Sequence, residues 1–235
     1  MELKNRTLSN FAELVRTGEC KKFRGRLKVG VDLGTANTVL AVVDSTNRPI
    51  AGVSAPSHAI RDGVIVNYYE SVQLVTKLKE ELEEKLGTEL LYAAAAIPPG
   101  VSEGSVKSIG YVLEGAGFEV TNIVDEPTAA AAVLKITDGA VVDVGGGSIQ
   151  ISLFDKDALV STQNLRLGIV RIRERLAEIE QRTTHFDEIV EEMINNELNS
   201  YKRLYLKDRE IKHMILVGDY INQLITRRRG EKSVS

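Results

Sequence analysis

Two stretches of this chain repeat the same wording around an aspartate. They are Val31-Asp32-Leu33-Gly34 and Val142-Asp143-Val144-Gly145, with Asp44 and Asp155 at the matching later position. Each reads as strand, aspartate, glycine-containing turn, strand. A turn built from glycine and small hydroxyl or amide residues exposes backbone N–H groups in a concavity that suits phosphate oxygens. Thr35 and Asn37 supply such residues in the first copy, and Gly146, Gly147 and Ser148 in the second. The aspartates would repel a bare phosphate. They make sense if Mg²⁺ stands between carboxylate and phosphate, usually through retained waters. Two such hairpins, one per half of the chain, could grip a polyphosphate from opposite sides. A run such as Gly145-Gly146-Gly147 taken alone is as readily an ordinary hairpin turn; the recurrence of Asp-x-Gly marks a ligand site. No Gly-Lys-Ser/Thr follows, so this is not a P-loop. A strand rather than a helix follows each turn, so it is not a dinucleotide fingerprint.

Between the hairpins lies Asp125-Glu126-Pro127-Thr128, leading into Ala129–Ala132. Proline suits the first position of a helix, which leaves Asp125 or Glu126 near the N-cap, where free N–H groups and the helix dipole favour a carboxylate. Capping accounts for one of the two carboxylates. The other either caps as well or points into the cleft, where it would orient a water at a γ-phosphate. His58, His185 and His213 lie far apart in sequence without metal-ligand spacing, and Cys20 is the one cysteine of the chain. Zinc chemistry, Cys/His proteolysis and an internal disulfide framework are thereby excluded, and a reducing compartment fits.

The elements that would position these residues alternate strand and helix, the pattern of an α/β protein. Residues 28–44 and 140–154 read as hairpins, and 91–97 as a buried strand cut off by Pro98-Pro99-Gly100. Helices are expected at 71–87, at 102–116, and from Pro127 to Lys135, with a strand over 118–124 between the last two. Two further helices are expected at 165–181 and 186–205, the second capped by Thr184, then a short strand at 214–217. In residues 1–26, Leu8, Phe11, Leu14 and Val15 recur at helical spacing, so a short amphipathic extension is expected to dock on the body or on a partner. The resulting layout is an extension over 1–26, a first subdomain over 27–136, a shortened second subdomain over 137–229 and a tail over 230–235.

Composition limits the partners. The chain has 235 residues, 43% hydrophobic and 27% charged, with a net charge of −3. It can bury a core, and its overall charge does not draw it to nucleic acid or to anionic lipid. No apolar run approaches the roughly 20 residues of a membrane helix, and residues 1–26 lack the apolar block of a signal peptide.

Taken together, these motifs resemble the actin/Hsp70/sugar-kinase ATPase superfamily. VGVDLGTANTVLAVVD is similar to its first phosphate motif, DEPTAAAA to its first connecting helix, and VVDVGGGS to its second phosphate motif. RDGVIVNY (Arg61–Tyr68), AAAAIPPG (Ala93–Gly100) and GFEVTNIVDEPTAAA narrow the resemblance, over about residues 25–150, to the ethanolamine-utilisation J family, a chaperonin-like branch. This implies an actin-like fold of two ribonuclease H-like subdomains flanking a cleft for ATP and Mg²⁺, the second subdomain abbreviated. Asp32, Gly34, Thr35 and Asn37 would form the first phosphate loop, and Asp143, Gly145, Gly146, Gly147 and Ser148 the second. Asp32 and Asp143 would serve the metal, and Glu126 would stand at the Hsp70-type water-orienting position. Ala36 replaces a second threonine common in Hsp70 proteins, and no counterpart of their catalytic lysine is recognisable, so hydrolysis is expected to be slow or absent. The resemblance also implies a cytoplasmic, chaperone-like accessory role toward ethanolamine-utilisation enzymes or microcompartment proteins.

The C-terminal third instead resembles the exopolyphosphatase and guanosine-pentaphosphate phosphohydrolase family of the same superfamily. There a Gly-Gly pair would meet the far part of the ligand; here Gly218 is followed by Asp219, adding bulk and negative charge. Two alternatives to the ATP-dependent accessory role follow, a phosphohydrolase of polyphosphate or pppGpp, and a non-catalytic interaction module that keeps the fold.

Overall fold

The computed structural model describes residues 6–61, 64–135, 137–144, 148–156, 158–165, 167, 177 and 185–217. They form two compact units that divide after Ala129.

The first unit is built on a five-stranded sheet in the order β3-β2-β1-β6-β7. Its strands are β1 (Leu27–Leu33), β2 (Asn37–Asp44), β3 (Pro49–Pro56), β6 (Tyr92–Ile97) and β7 (Glu119–Asp125), with a small separate hairpin of β4 (Ile60–Arg61) and β5 (Val64–Ile65). The pairs β1–β2 and β2–β3 are antiparallel, whereas β1–β6 and β6–β7 are parallel. Strict alternation in β1 buries Val29, Val31 and Leu33 and leaves Asp32 exposed between them. The period-2 pleat thus places the site aspartate on the face opposite the core. Helices α2 (Tyr68–Leu86) and α3 (Glu103–Gly115) contribute Val75, Leu78, Leu82, Ile109 and Leu113 to that core. Asn67 caps α2, its side chain accepting from the Glu70 N–H, and Ser102 caps α3 through the Ser105 N–H, so both helices start at side-chain caps. Lys79 of α2 is 8% exposed. Its ammonium donates to the Gly117 carbonyl at 2.8 Å and lies 4.8 Å from the Phe118 ring centroid. A cation at the end of α3 satisfies carbonyls that the helix leaves unpaired, which fastens α2 to α3.

The N-terminal segment forms α1 (Arg6–Thr17) and docks on this unit: Leu14 is buried, and Phe11 and Val15 lie over Gly52 of β3. The contact explains why Ile50 to Val53 are buried on both faces of an edge strand. A Cβ on Gly52 would stand 2.5 Å from the Phe11 ring and 2.8 Å from Val15. Gly52→Val is therefore expected to displace α1 and to cost about 1–3 kcal/mol in urea unfolding, the usual penalty of overpacking. Unchanged stability would show that α1 does not hold this position.

Asp44, at the end of β2, builds the turn into β3. It accepts from the Thr46 hydroxyl at 2.7 Å, the Thr46 N–H at 2.9 Å and the Arg48 N–H at 3.1 Å. The Arg48 Nε–H donates to its other oxygen at 3.1 Å. The Thr46 hydroxyl foremost, with the Arg48 and Thr46 N–H groups and the Arg48 charge, holds the Asp44 carboxyl at about 2 against an ordinary 3.8. A depressed pKa stabilises the fold above the unfolded value and loses that contribution as pH falls through the folded one. The stability gap between wild type and Asp44→Asn should thus be constant above about pH 5 and close between about pH 4 and 2. Urea titrations across that range would read it; a gap that persists at pH 2 would remove the carboxylate from the account.

The second unit repeats the plan. Its sheet runs β10-β9-β8-β11, with β8 (Gly139–Val144), β9 (Ile149–Asp155), β10 (Ala158–Leu165) and β11 (Met214–Val217). Here β8–β9 and β9–β10 are antiparallel and β8–β11 parallel, as for β1–β2, β2–β3 and β1–β6 of the first unit. Among the described residues this sheet has four strands where the main sheet of the first unit has five. One cluster joins Ala140, Ile151 and Leu153 to Met193, Ile194 and Tyr201 of α5 (Phe186–Tyr201); another joins Val141 and Phe154 to Ala131 of α4 (Glu126–Leu134). Helix α5 runs into a π-helical turn, Lys202–Leu206. Its N-cap position is His185; Thr184, expected there, and nearly all of the helix expected over 165–181 lie outside the described residues. The first of those positions, Leu165, is the last residue of β10.

The architecture is thus mixed α/β, with one main sheet in each unit.

Candidate functional site

The repeated aspartates occupy matching places in matching hairpins. Asp32 pairs with Val39 and Leu33 with Thr38; Asp143 pairs with Gln150 and Val144 with Ile149. Every one of these residues in the second hairpin lies 111 positions after its counterpart (32 to 143, 39 to 150). In the parallel direction Asp32 pairs with Ala96 and Asp143 with Val217. Each carboxylate therefore stands one residue before the end of the sheet's central antiparallel strand, at the mouth of its turn.

In the first hairpin the Gly34 N–H donates to the Asn37 carbonyl at 3.0 Å, closing a tight turn over Thr35 and Ala36. The Ala36 carbonyl accepts from the N–H of buried Ser57 at 3.0 Å, which anchors the turn to the following loop. Asp32 near the end of β1, Thr35 in the turn and Asn37 at the start of β2 are all exposed. A Cβ on Gly34 would lie 2.7 Å from the Asn37 carbonyl oxygen and 3.8 Å from an Asp32 carboxylate oxygen, so the turn closes around the space a side chain would fill. A carboxylate, a hydroxyl and a carboxamide on a glycine-tightened turn are oxygen and N–H ligands of the kind that hydrated Mg²⁺ and phosphate require. The residues present fit that group.

In the second hairpin Asp143 and Ser148 are half-buried. Gly145, Gly146 and Gly147 lie outside the described residues, as do Gly218 and Asp219. Gln150, opposite Asp143, is 7% exposed, and its side-chain Nε2 has no hydrogen-bond partner among the described residues. Nothing in the sequence set this residue apart from an ordinary strand position; the signal is its cross-strand register, which pairing alone reveals.

The carboxylates at the start of α4 divide. Asp125 takes the capping role, one oxygen accepting from the Thr128 N–H at 2.9 Å and the other from the Thr128 hydroxyl at 2.8 Å. The helix starts at Glu126, so Pro127 stands at its second position rather than the first. The first-turn N–H groups have no intrahelical acceptor in any case, so the shift costs no hydrogen bond. Glu126 is half-buried. Asp155, the remaining repeated aspartate, lies at the end of β9 with Arg209 Nη1 at 3.8 Å. With Asp44 committed to its own turn, this later pair serves strand ends. Among the described residues no three His, Cys, Asp or Glu side chains gather into a metal cluster, and no helix is long and apolar enough to cross a membrane.

The MreB/Mbl protein family matches residues 46–201. The ethanolamine utilization protein EutJ of Salmonella typhimurium is 40% identical over 127 residues, 54% of this chain and 44% of that protein. The chain thus spans less than half the length of the curated relatives it matches. The crystal structure of EutJ from Carboxydothermus hydrogenoformans superposes with a TM-score of 0.76 at 32% identity, covering 91% of this chain and 84% of that one. The Aquifex aeolicus Ppx/GppA phosphatase superposes with a TM-score of 0.61 at 16% identity over 88% of this chain and 72% of that one. MreB5 of Spiroplasma citri, solved bound to ADP, gives 0.51 at 18% over 66% and 56%. The last two likenesses show the fold alone.

Proposed function

This chain belongs to the MreB/Mbl protein family, together with the EutJ proteins, and from that premise we propose that it binds Mg-ATP as an actin/Hsp70-like, chaperone-like accessory protein of ethanolamine utilisation. The observation that carries the reading is the matched register of the two Asp–Gly hairpins, which sets Asp32 and Asp143 in equivalent positions. A phosphate site doubled within one chain is what a polyphosphate chelated to a metal would use. Bound Mg²⁺ would neutralise charge between phosphate oxygens and a carboxylate. Asp32, Gly34, Thr35 and Asn37 would form the phosphate loop of the first unit, and Asp143, Gly145, Gly146, Gly147 and Ser148 that of the second, with Gly218 as a further nucleotide contact. Glu126 would orient a water, since Asp125 is occupied with the helix cap. Ala36 brings no hydroxyl to the first turn, which supports slow or absent hydrolysis. The partners would be ethanolamine-utilisation enzymes or microcompartment proteins, in the cytoplasm or at a microcompartment; the EutJ likeness supports this part.

Calorimetric titration with ATP, ADP and polyphosphate, with and without Mg²⁺, tests the reading. Mg-dependent binding of ATP is the expected result. Phosphate release from polyphosphate and not from ATP would replace the reading with a phosphohydrolase, and no binding of any of the three would leave an interaction module. Any turnover separates the acids: Glu126→Gln should lose it with nucleotide affinity kept, whereas Asp125→Ala should cost about 1 kcal/mol of stability through the lost cap. Equal loss of turnover and affinity in Glu126→Gln would give Glu126 a structural role instead.

A further inference from the structure

Charge is spread unevenly over the first unit. Lys22, Arg24, Arg26, Lys28 and Arg48 are all exposed. The segments that carry them converge at one end of the sheet, where β1 begins and β2 turns into β3. The whole chain carries −3, yet over residues 19–28 and 44–48 the carboxylates are only Glu19 and Asp44. Asp44 is committed to its own turn and pairs with Arg48. Among the described residues no carboxylate lies within ion-pair distance of the other four cations. Like charges held together repel, and the fold gains nothing by gathering them.

Packing nevertheless fixes the row. Residues 18–26 run between α1 and β1 without regular structure, but Cys20, Phe23 and Leu27 pack on the core. The Lys21 N–H donates to the Ile50 carbonyl at 2.8 Å, and the Arg48 Nη2–H donates to the Lys22 carbonyl at 3.3 Å. The Lys28 ammonium donates to the Asn47 side-chain oxygen at 2.8 Å. Gly25 bends the chain between Arg24 and Arg26 at φ +82°, a conformation glycine adopts without steric cost. The backbone beneath the cations is thus set by the fold, which lowers the entropic cost of binding. Asp32 lies four residues beyond Lys28 on β1, about 13 Å along the strand at about 3.3 Å per residue. The row is therefore a surface apart from the first Asp–Gly turn.

We propose that this row docks a short Asp/Glu-rich segment of a partner protein. The forked guanidinium groups of Arg24 and Arg26 suit carboxylates, each of which can accept two parallel hydrogen bonds. Phe23, the one aromatic residue of 18–28, is turned onto the core, so no ring is offered for stacking a base. Leu27 is turned inward as well, so the row offers no apolar anchor to a lipid surface. A nucleic acid or a membrane would also extend over far more of a molecule whose net charge is −3.

The test measures binding of a fluorescent oligoglutamate peptide to the full chain by anisotropy, beside a single-stranded DNA oligonucleotide, polyphosphate and vesicles containing phosphatidylglycerol. Wild type should bind the peptide in preference to the other three, and more weakly as NaCl rises from about 50 to about 200 mM and screens the charges. Lys22→Glu/Arg24→Glu/Arg26→Glu should bind the peptide at least roughly tenfold more weakly, the sum of several exposed ion pairs. Its unfolding temperature should match wild type, since these side chains are exposed. Arg24→Gln/Arg26→Gln, a milder change, should lose part of the affinity. Lys77→Glu/Lys107→Glu/Lys212→Glu, which changes net charge equally at exposed positions elsewhere, should keep it. Undiminished peptide binding in the first triple variant, equal loss in both triple variants, or no peptide binding by wild type would each overturn the proposal. Tighter binding of DNA, polyphosphate or vesicles than of the peptide would overturn it too, in favour of that other anion.

Discussion

Millimolar Mg-ATP is expected to raise the unfolding temperature of the wild-type chain, and Asp32→Ala and Asp143→Ala are each expected to lose that rise. A ligand that binds only the folded state stabilises it by mass action, by about 2.7 kcal/mol at a hundredfold excess over Kd. Asp32 is exposed between buried neighbours, so its alanine variant keeps the packing of the strand and should still fold. Asp143 is half-buried, and its alanine variant should still fold. Chelation of Mg²⁺ should reverse the sign of the effect. Without the cation each carboxylate repels the phosphates, so the alanine variants should bind free ATP no worse than wild type. Scanning fluorimetry with Mg-ATP and with ATP plus EDTA reads both halves. A full Mg-ATP response in either variant would remove that aspartate from the site, and a ligand-free collapse of Asp143→Ala would make it a residue of the fold.

Gly34→Ala should produce the second large effect. The added Cβ would meet the Asn37 carbonyl oxygen at 2.7 Å, the same oxygen that accepts from the Gly34 N–H at 3.0 Å. Both atoms belong to the backbone, so no rotamer change relieves the contact; the turn must open. Opening it moves Thr35 and Asn37 away from Asp32 and loosens the link from Ala36 to Ser57. A loss of about 1–3 kcal/mol in stability is expected, together with loss of Mg-ATP binding beyond what instability explains. Retained affinity in a folded Gly34→Ala chain would show that the turn's tightness does not serve the ligand.

The helix and strand positions were legible wherever one period dominated. The spacing of Val75, Leu78 and Leu82 marked α2, and the alternation in β1 and β2 marked the first hairpin. Strand β3 escaped because its first five residues, Pro49 to Val53, are all buried and show no alternation; the helix that covers it lies more than thirty residues away in sequence. The burial of Lys79 against the Gly117 carbonyl carries no mark in the sequence, because a buried cation looks like any lysine in a list of letters. For α4, the sequence left two carboxylates open for one cap, and only the hydrogen bonds to Thr128 settled that Asp125 holds it.

The sequence by itself determined the doubled Asp–Gly hairpin and the kinship it signals, since glycine, aspartate and β-branched runs at fixed spacing act through local backbone preferences that need no distant partner. Only the tertiary structure decided the 111-residue strand register, the docking of α1 on β3 and the burial of Gln150 opposite Asp143. Those depend on which strand hydrogen-bonds to which and on what packs over each face, contacts between residues far apart in the chain whose letters carry no mark of one another.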